Sequence, residues 1–233
     1  MSYNLEEKYK LIKEELKKSK SKNPIAIVKS IMHRDFINIH GPEHHFLDGG
    51  AFLVAYSNSN GDINLDKALD ELAIRTIKMP GAMCGLWGIC GSCASVGAAL
   101  SIIHETGPLS SDRFYKEHME FTSKVISKMS EIGGPRCCKR NAFLSISEAI
   151  RFINDHYGIE MEQENIVCEF TDFNKECLKK SCPFFKGNIV ILKKEDSNNS
   201  AKQIDKADIS KIYKSIKEVV NTSLDDCITI PRK

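Results

Sequence analysis

The chain is predicted to be mainly α: a compact multi-helix bundle with glycine-rich cysteine turns and a small cysteine-bearing C-terminal module. Three observations lead there. Apolar residues recur at helical spacing through most of the chain. Helix-breaking clusters separate those stretches, at Asn23-Pro24, Gly41-Pro42, Met79-Pro80-Gly81 and Gly133-Gly134-Pro135. There is no βαβ alternation, internal repeat or dinucleotide fingerprint.

Leu5 to Lys18 places Leu5, Tyr9, Ile12 and Leu16 on one stripe, which predicts the first helix. Pro24 then suits the first turn of a second helix, Ile25 to His33. After the Gly41-Pro42 turn, Glu43 to Tyr56 reads as a mostly apolar, buried helix. Asn64 or Asp66 is a candidate cap for the next, which runs to about Lys78 with Leu65, Leu69, Leu72 and Ile77 inward. Ser92 to His104 is small and apolar, as in a helix packed closely on its neighbours. Ser111 is a candidate cap for a helix over residues 112–131. Asn141 to His156 is amphipathic, with Phe143, Ile146, Ile150 and Ile153 inward. Residues 166–187 form the cysteine-bearing tail. A β-prone run at Asn188 to Leu192 and a last helix at Ile204 to Val220 follow. The expected organisation is an N-terminal helical extension (1–22), a cysteine-rich helical core domain (23–187) and a C-terminal extension (188–233).

Hydrophobic content of 42% over 233 residues is enough for a sizeable core. A formal net charge of +2 gives no reason to expect nucleic acid. The lysines from Lys8 to Lys22 interleave with glutamates, the pattern of a solvated helix face. The charged opening residues and the interrupted apolar runs lead to the expectation of a cytoplasmic protein without a membrane partner. In that reducing setting nine cysteines read as metal ligands or redox groups before disulfides.

Five of them lie in two glycine-rich turns. The first turn carries Cys84, Cys90 and Cys93. Its C-x2-C spacing lets two sulfurs converge, and Gly85, Gly88 and Gly91 admit close backbone approach. A helix start just after Cys90 would favour thiolate. The second turn sets Cys137 and Cys138 between Arg136, Lys139 and Arg140, cations that suit thiolates or an anionic substrate. The tail adds Cys168, Cys177 and Cys182-Pro183, a spacing that suits an iron–sulfur cluster or a structural zinc. Zinc needs a fourth ligand, and His156 or Cys227 are the candidates. Three thiolates alone can hold a cluster with one open iron.

His40-Gly-Pro-Glu43-His44-His45 reads either as a metal or acid/base set or as a capping turn with one buried histidine. Asp48, one turn beyond His44, is placed to orient it. His104 and His118 read as lone helical histidines. Trp87 is a pocket wall or a core anchor.

Together, His40-Gly-Pro-Glu-His-His45, Met79-Pro-Gly-x-x-Cys84-Gly-x-Trp-Gly-x-Cys90-Gly, Gly133-Gly-Pro-Arg-Cys-Cys-Lys-Arg140 and Cys177-x4-Cys-Pro183 resemble an uncharacterised family of cysteine-rich proteins of anaerobic bacteria and archaea. That family is defined as a domain of unknown function. Its members are sometimes fused to radical-SAM or methyltransferase domains. The resemblance spans roughly residues 25–185 and implies oxygen-sensitive iron–sulfur or sulfur chemistry.

The residues and the resemblance lead to one expectation: an iron–sulfur or metal–thiolate protein performing redox or sulfur-transfer chemistry on a small anionic or sulfur-carrier substrate. Whether it is an enzyme stays open; if it is, it is an oxidoreductase or sulfur-transferase. Cys168, Cys177 and Cys182 are the metal ligands. Cys84, Cys90, Cys137 and Cys138 form a second thiol site that either shares that centre or exchanges with substrate. Arg136, Lys139, His40, His45 and Trp87 bind substrate, and His44 and Glu43 move protons. The alternative is a zinc-stapled module that docks on a partner enzyme. Methyltransferase activity ranks third, for want of a glycine-rich strand–turn–helix.

Overall fold

The computed structural model describes residues 3–188. The expected run after Asn188, the helix at Ile204 to Val220 and Cys227 lie outside the described residues. Within them the chain is mainly helical, with extensive helix–helix packing and no strand beyond one isolated parallel bridge, Cys168 to Phe185.

The elements follow their sequence signals. Helix α1 (Leu5–Lys18) opens on Asn4, which exchanges side-chain and backbone bonds with Glu7 in a capping box. Helix α2 (Pro24–Met32) starts on proline, where a missing N–H costs nothing, and Asn23 caps it. Helix α3 spans His44–Asn58 and α4 spans Leu65–Thr76, the latter capped by Asn64 rather than Asp66. A short helix, α5 (Met83–Leu86), lies inside the first cysteine turn, where no helix is predicted. Helix α6 is Gly91–Ile103, with Cys90 as its N-cap. Helix α7 is Arg113–Ile132, capped by Asp112 and not Ser111. Helix α8 is Cys138–Tyr157, capped by the Cys137 sulfur. It begins a turn before the predicted Asn141, so both turn cysteines belong to its start.

α3 is the centre of the bundle. Its sequence is mostly apolar beyond His44, His45 and Asp48, and it is buried against α1, α2, α4, α6 and α8. α6 crosses it closely because both helices use small residues there. The Gly49 N–H donates to Ser95 Oγ at 3.0 Å, and a Cβ at Gly49 would meet the Ser95 carbonyl at 2.8 Å. Tyr9, Ile12 and Leu16 of α1 lie in this same core, so the N-terminal segment is part of the body rather than an appendage. Each large apolar side chain buried here contributes about 1.5–3 kcal/mol.

Residues 158–188 run without long helices and fold back on the bundle. Glu169 pairs with Lys29 at 2.6 Å and with His33 at 2.7 Å, and the Phe184 ring meets Phe143 edge-on. His40 Nε2 bonds Asn174 at 3.1 Å and Glu176 at 3.0 Å. These ties carry the tail cysteines to the N-terminus of α8.

Candidate functional site

Two cavities meet at the start of α8. The first is small, about 20 Å³, and the thiols of Cys137, Cys168, Cys177 and Cys182 line it. Lys139 and Arg140 also border it, and among the described residues no carboxylate or imidazole does. Each sulfur accepts a main-chain N–H: from Arg140 to Cys137, Phe170 to Cys168, Lys179 to Cys177 and Phe184 to Cys182. Asn174 Nδ2 adds a longer contact to Cys137, at 3.6 Å. Burial raises the Cys168 and Cys182 thiols, and the charge of neighbouring cysteines adds to this.

Four soft donors, amides aimed at sulfur and two adjacent cations fit an iron–sulfur cluster or zinc by donor type. Among the described residues no three His, Cys, Asp or Glu side chains are already gathered as around one ion. The fit therefore lies in donor chemistry and the shared cavity. The fourth thiol on the cavity is Cys137, and His156 does not line it.

The second cavity, about 300 Å³, is lined by Cys84, Cys90 and Cys138, by His40, His44, His45 and Asp48, and by Arg136 and Cys137. It shares Cys84, Cys90, Arg136 and Asn141 with an open groove of about 610 Å³. Burial pushes the Cys138 thiol up to about 12, against a bond from the Gly41 amide. Burial likewise raises Cys90, against bonds from Asn141 and the amides of Ser92 and Cys93. The predicted thiolate at the α6 start is thus an uncharged thiol, because desolvation outweighs the helix-end field.

Asp48 is fully buried on this cavity and neither carboxylate oxygen has a hydrogen-bond partner. Its nearest base is His44, with Nδ1 at 3.8 Å from Oδ1. On its other side His44 Nε2 lies 3.0 Å from Lys139 Nζ and 3.1 Å from the Asn38 carbonyl. Burial keeps His45 below the ordinary imidazole range, so it is neutral. Gly91 is required beside it, since a Cβ there would overlap the His45 ring.

Several expected roles change. Lys139 has no exposed surface; Nζ donates to the Asn38 carbonyl at 2.8 Å, and burial lowers its pKa to about 8. It faces the four-thiol cavity and His44, not an incoming anion. Glu43 does not line the pocket. Burial opposes its ionisation, but bonds from Lys8 Nζ and the Asn38 amide, each 2.9 Å, prevail and hold it low. It anchors α1 to the α3 start. Trp87 is 68% exposed and lines neither cavity, so it is neither wall nor anchor. Cys93 is a core residue whose thiol burial pushes up to about 12. His104 and His118 are not lone: their rings bond at 2.9 Å. Asn38, Asn141 and Asn174 went unnoticed in the sequence, because a lone asparagine carries no spacing signal.

Residues 12–185 match the model of a family described as a family of unknown function (DUF5714). The chain belongs to that family. The match takes in both cavities and the second half of α1, and it assigns no activity. No curated protein and no solved structure matches the chain. Among the described residues, no helix is long and apolar enough to cross a membrane.

Proposed function

We propose that this member of the family is a metal–thiolate protein with two linked parts. Cys137, Cys168, Cys177 and Cys182 hold an iron–sulfur cluster, and the pocket of Cys84, Cys90 and Cys138 performs redox or sulfur-transfer chemistry on a small anionic substrate. The observation that carries this reading is the junction between them. Cys137 caps α8 from the four-thiol cavity, and Cys138, one peptide bond on, lines the histidine pocket.

A cluster there would supply or accept single electrons. The chain's own residues supply the rest. Arg136 is exposed at the pocket wall, makes no salt bridge among the described residues, and is the seat for an anionic group. A pocket thiol that attacks the outer sulfur of a persulfide donor forms a cysteine persulfide and releases the donor as a thiol. The proton leaves the attacking cysteine for the neutral His45 imidazole, or for His44, and returns to the departing sulfur. The uncharged Cys90 and Cys138 thiols make such a base necessary.

A zinc-stapled docking module is the second reading. It is favoured by the size of the four-thiol void, which is about that of one water. The exposed Leu86 and Trp87 would then offer the docking surface. Anaerobic purification separates the two. The first reading expects iron with acid-labile sulfide and a visible absorption band. Stoichiometric zinc in colourless protein would replace it with the second.

A further inference from the structure

Asp48 poses a question that the four-thiol centre does not answer. A fully buried carboxylate with both oxygens unpartnered is costly unless something supplies charge or donors. The His44 ring is too far for a hydrogen bond, at 3.8 Å. Lys139, the nearest buried cation, spends its ammonium on Asn38 and His44. His45 is neutral and its Nδ1 is also unpartnered. The pocket lining therefore offers five unused polar atoms: both Asp48 carboxylate oxygens and the Nδ1 atoms of His40, His44 and His45.

The wall of the same pocket carries the opposite charge. Arg136 is unpaired there among the described residues, beside Cys84 and Cys137. A space of about 300 Å³ is the size of an organic ligand site rather than an ion site. The donors around Asp48 are also not gathered as metal ligands are.

We propose that the pocket binds a small zwitterion: a primary ammonium seated on Asp48 and His45, and a carboxylate or similar anion on Arg136, with its reacting atom held against Cys90 and Cys138. A primary ammonium has three N–H donors, which the Asp48 oxygens and the His45 nitrogen can accept. Amino acids and aminothiols that carry an acid group are the chemical class. This refines the substrate of the thiol pocket and rests on the reading of that pocket as the reaction site.

The test is anaerobic titration calorimetry on the full chain with three related probes. L-cysteine carries both charges, 3-mercaptopropionate lacks the ammonium, and cysteamine lacks the carboxylate. The comparison is repeated with L-serine and 3-hydroxypropionate, which carry no thiol, so that bidentate binding of an aminothiol to a metal is separated from the contribution of the ammonium. L-cysteine is expected to bind about 10- to 100-fold more tightly than 3-mercaptopropionate, the range of a charge-assisted bond. Asp48→Asn should remove that preference, and Arg136→Gln should weaken L-cysteine and 3-mercaptopropionate alike while sparing cysteamine.

Equal affinities for L-cysteine and 3-mercaptopropionate in the unaltered protein would overturn the proposal, and that comparison needs no variant to fold. So would no binding of any probe, or a preference that survives in Asp48→Asn, which would leave Asp48 a hydrated carboxylate. Loss in Asp48→Asn of a second bound zinc equivalent, without any change in probe selectivity, would make the site a divalent-cation site instead. Iron and sulfide are assayed on the same samples. Their absence with selectivity intact would sink the cluster and leave the zwitterion site standing.

Discussion

Cys137 and Cys138 are consecutive and share the histidine pocket, yet only Cys137 also lines the four-thiol cavity. The Cys137 sulfur accepts the Arg140 amide at 3.4 Å and borders the cavity of Cys168, Cys177 and Cys182. The Cys138 thiol takes the Gly41 amide and lines the pocket of His44, His45 and Asp48. The helix start makes this split possible, because Cys137 is the N-cap with extended backbone (φ −147°, ψ 106°) and Cys138 is the first helical residue.

Thiol reactivity should follow burial. Cys138 and Cys93 are both pushed up to about 12 by burial, while Cys84 lines the open groove. Maleimide at pH 7 with peptide mapping should label Cys84 well before Cys138 and Cys93. Cys138 labelling should climb roughly tenfold per pH step as its thiolate fraction grows. Prompt labelling of Cys138 at pH 7 would mean the pocket is wetter than described.

Gly91→Ala should damage the pocket without touching the four-thiol cavity. The added methyl overlaps the His45 ring at the α6 start, and forced overpacking costs about 1–3 kcal/mol. Denaturant unfolding should show that loss, while metal content stays at the unaltered level. Unchanged stability would show that His45 has another place to go.

His104 makes the fold acid-sensitive. Burial first, and then the charge of His118, lower its pKa from 6.5 to about 4. Between those values the unfolded chain binds the proton and the folded chain does not, so stability falls as pH falls through that window. From pH 7 to pH 5 this histidine should remove about 2 kcal/mol. His104→Gln should flatten that part of the profile in urea titrations at the two pH values. An equally steep profile in the variant would place the sensitivity elsewhere.

Helices were legible because their signals are local. Leu5–Lys18 shows its stripe in period, and Asn23-Pro24 shows both a stop and a start. The site was legible only as residue types. The tail spacing could name Cys168, Cys177 and Cys182 but not their partner, because Cys137 reaches them through His33–Glu169, His40–Asn174 and Phe184–Phe143 contacts between distant segments. Cations beside thiols misled for a related reason. Lys139 looked like an anion clamp, whereas helix phase turns it into the core, where Asn38 and His44 take its protons. Charge read along a chain says nothing about which side faces solvent.

The division of the two adjacent cysteines is the central claim, and metal analysis of paired variants tests it most directly. Cys137→Ser, Cys138→Ser and Cys177→Ser would be purified anaerobically beside the unaltered chain and assayed for iron, zinc and acid-labile sulfide. Cys137→Ser and Cys177→Ser should each lower metal affinity by more than about tenfold, as losing a ligand must cost at least what losing a ligand's supporting partner does. Cys138→Ser should keep its metal. A Cys137→Ser variant that stays fully loaded, or a Cys138→Ser variant that comes out empty, would contradict the account.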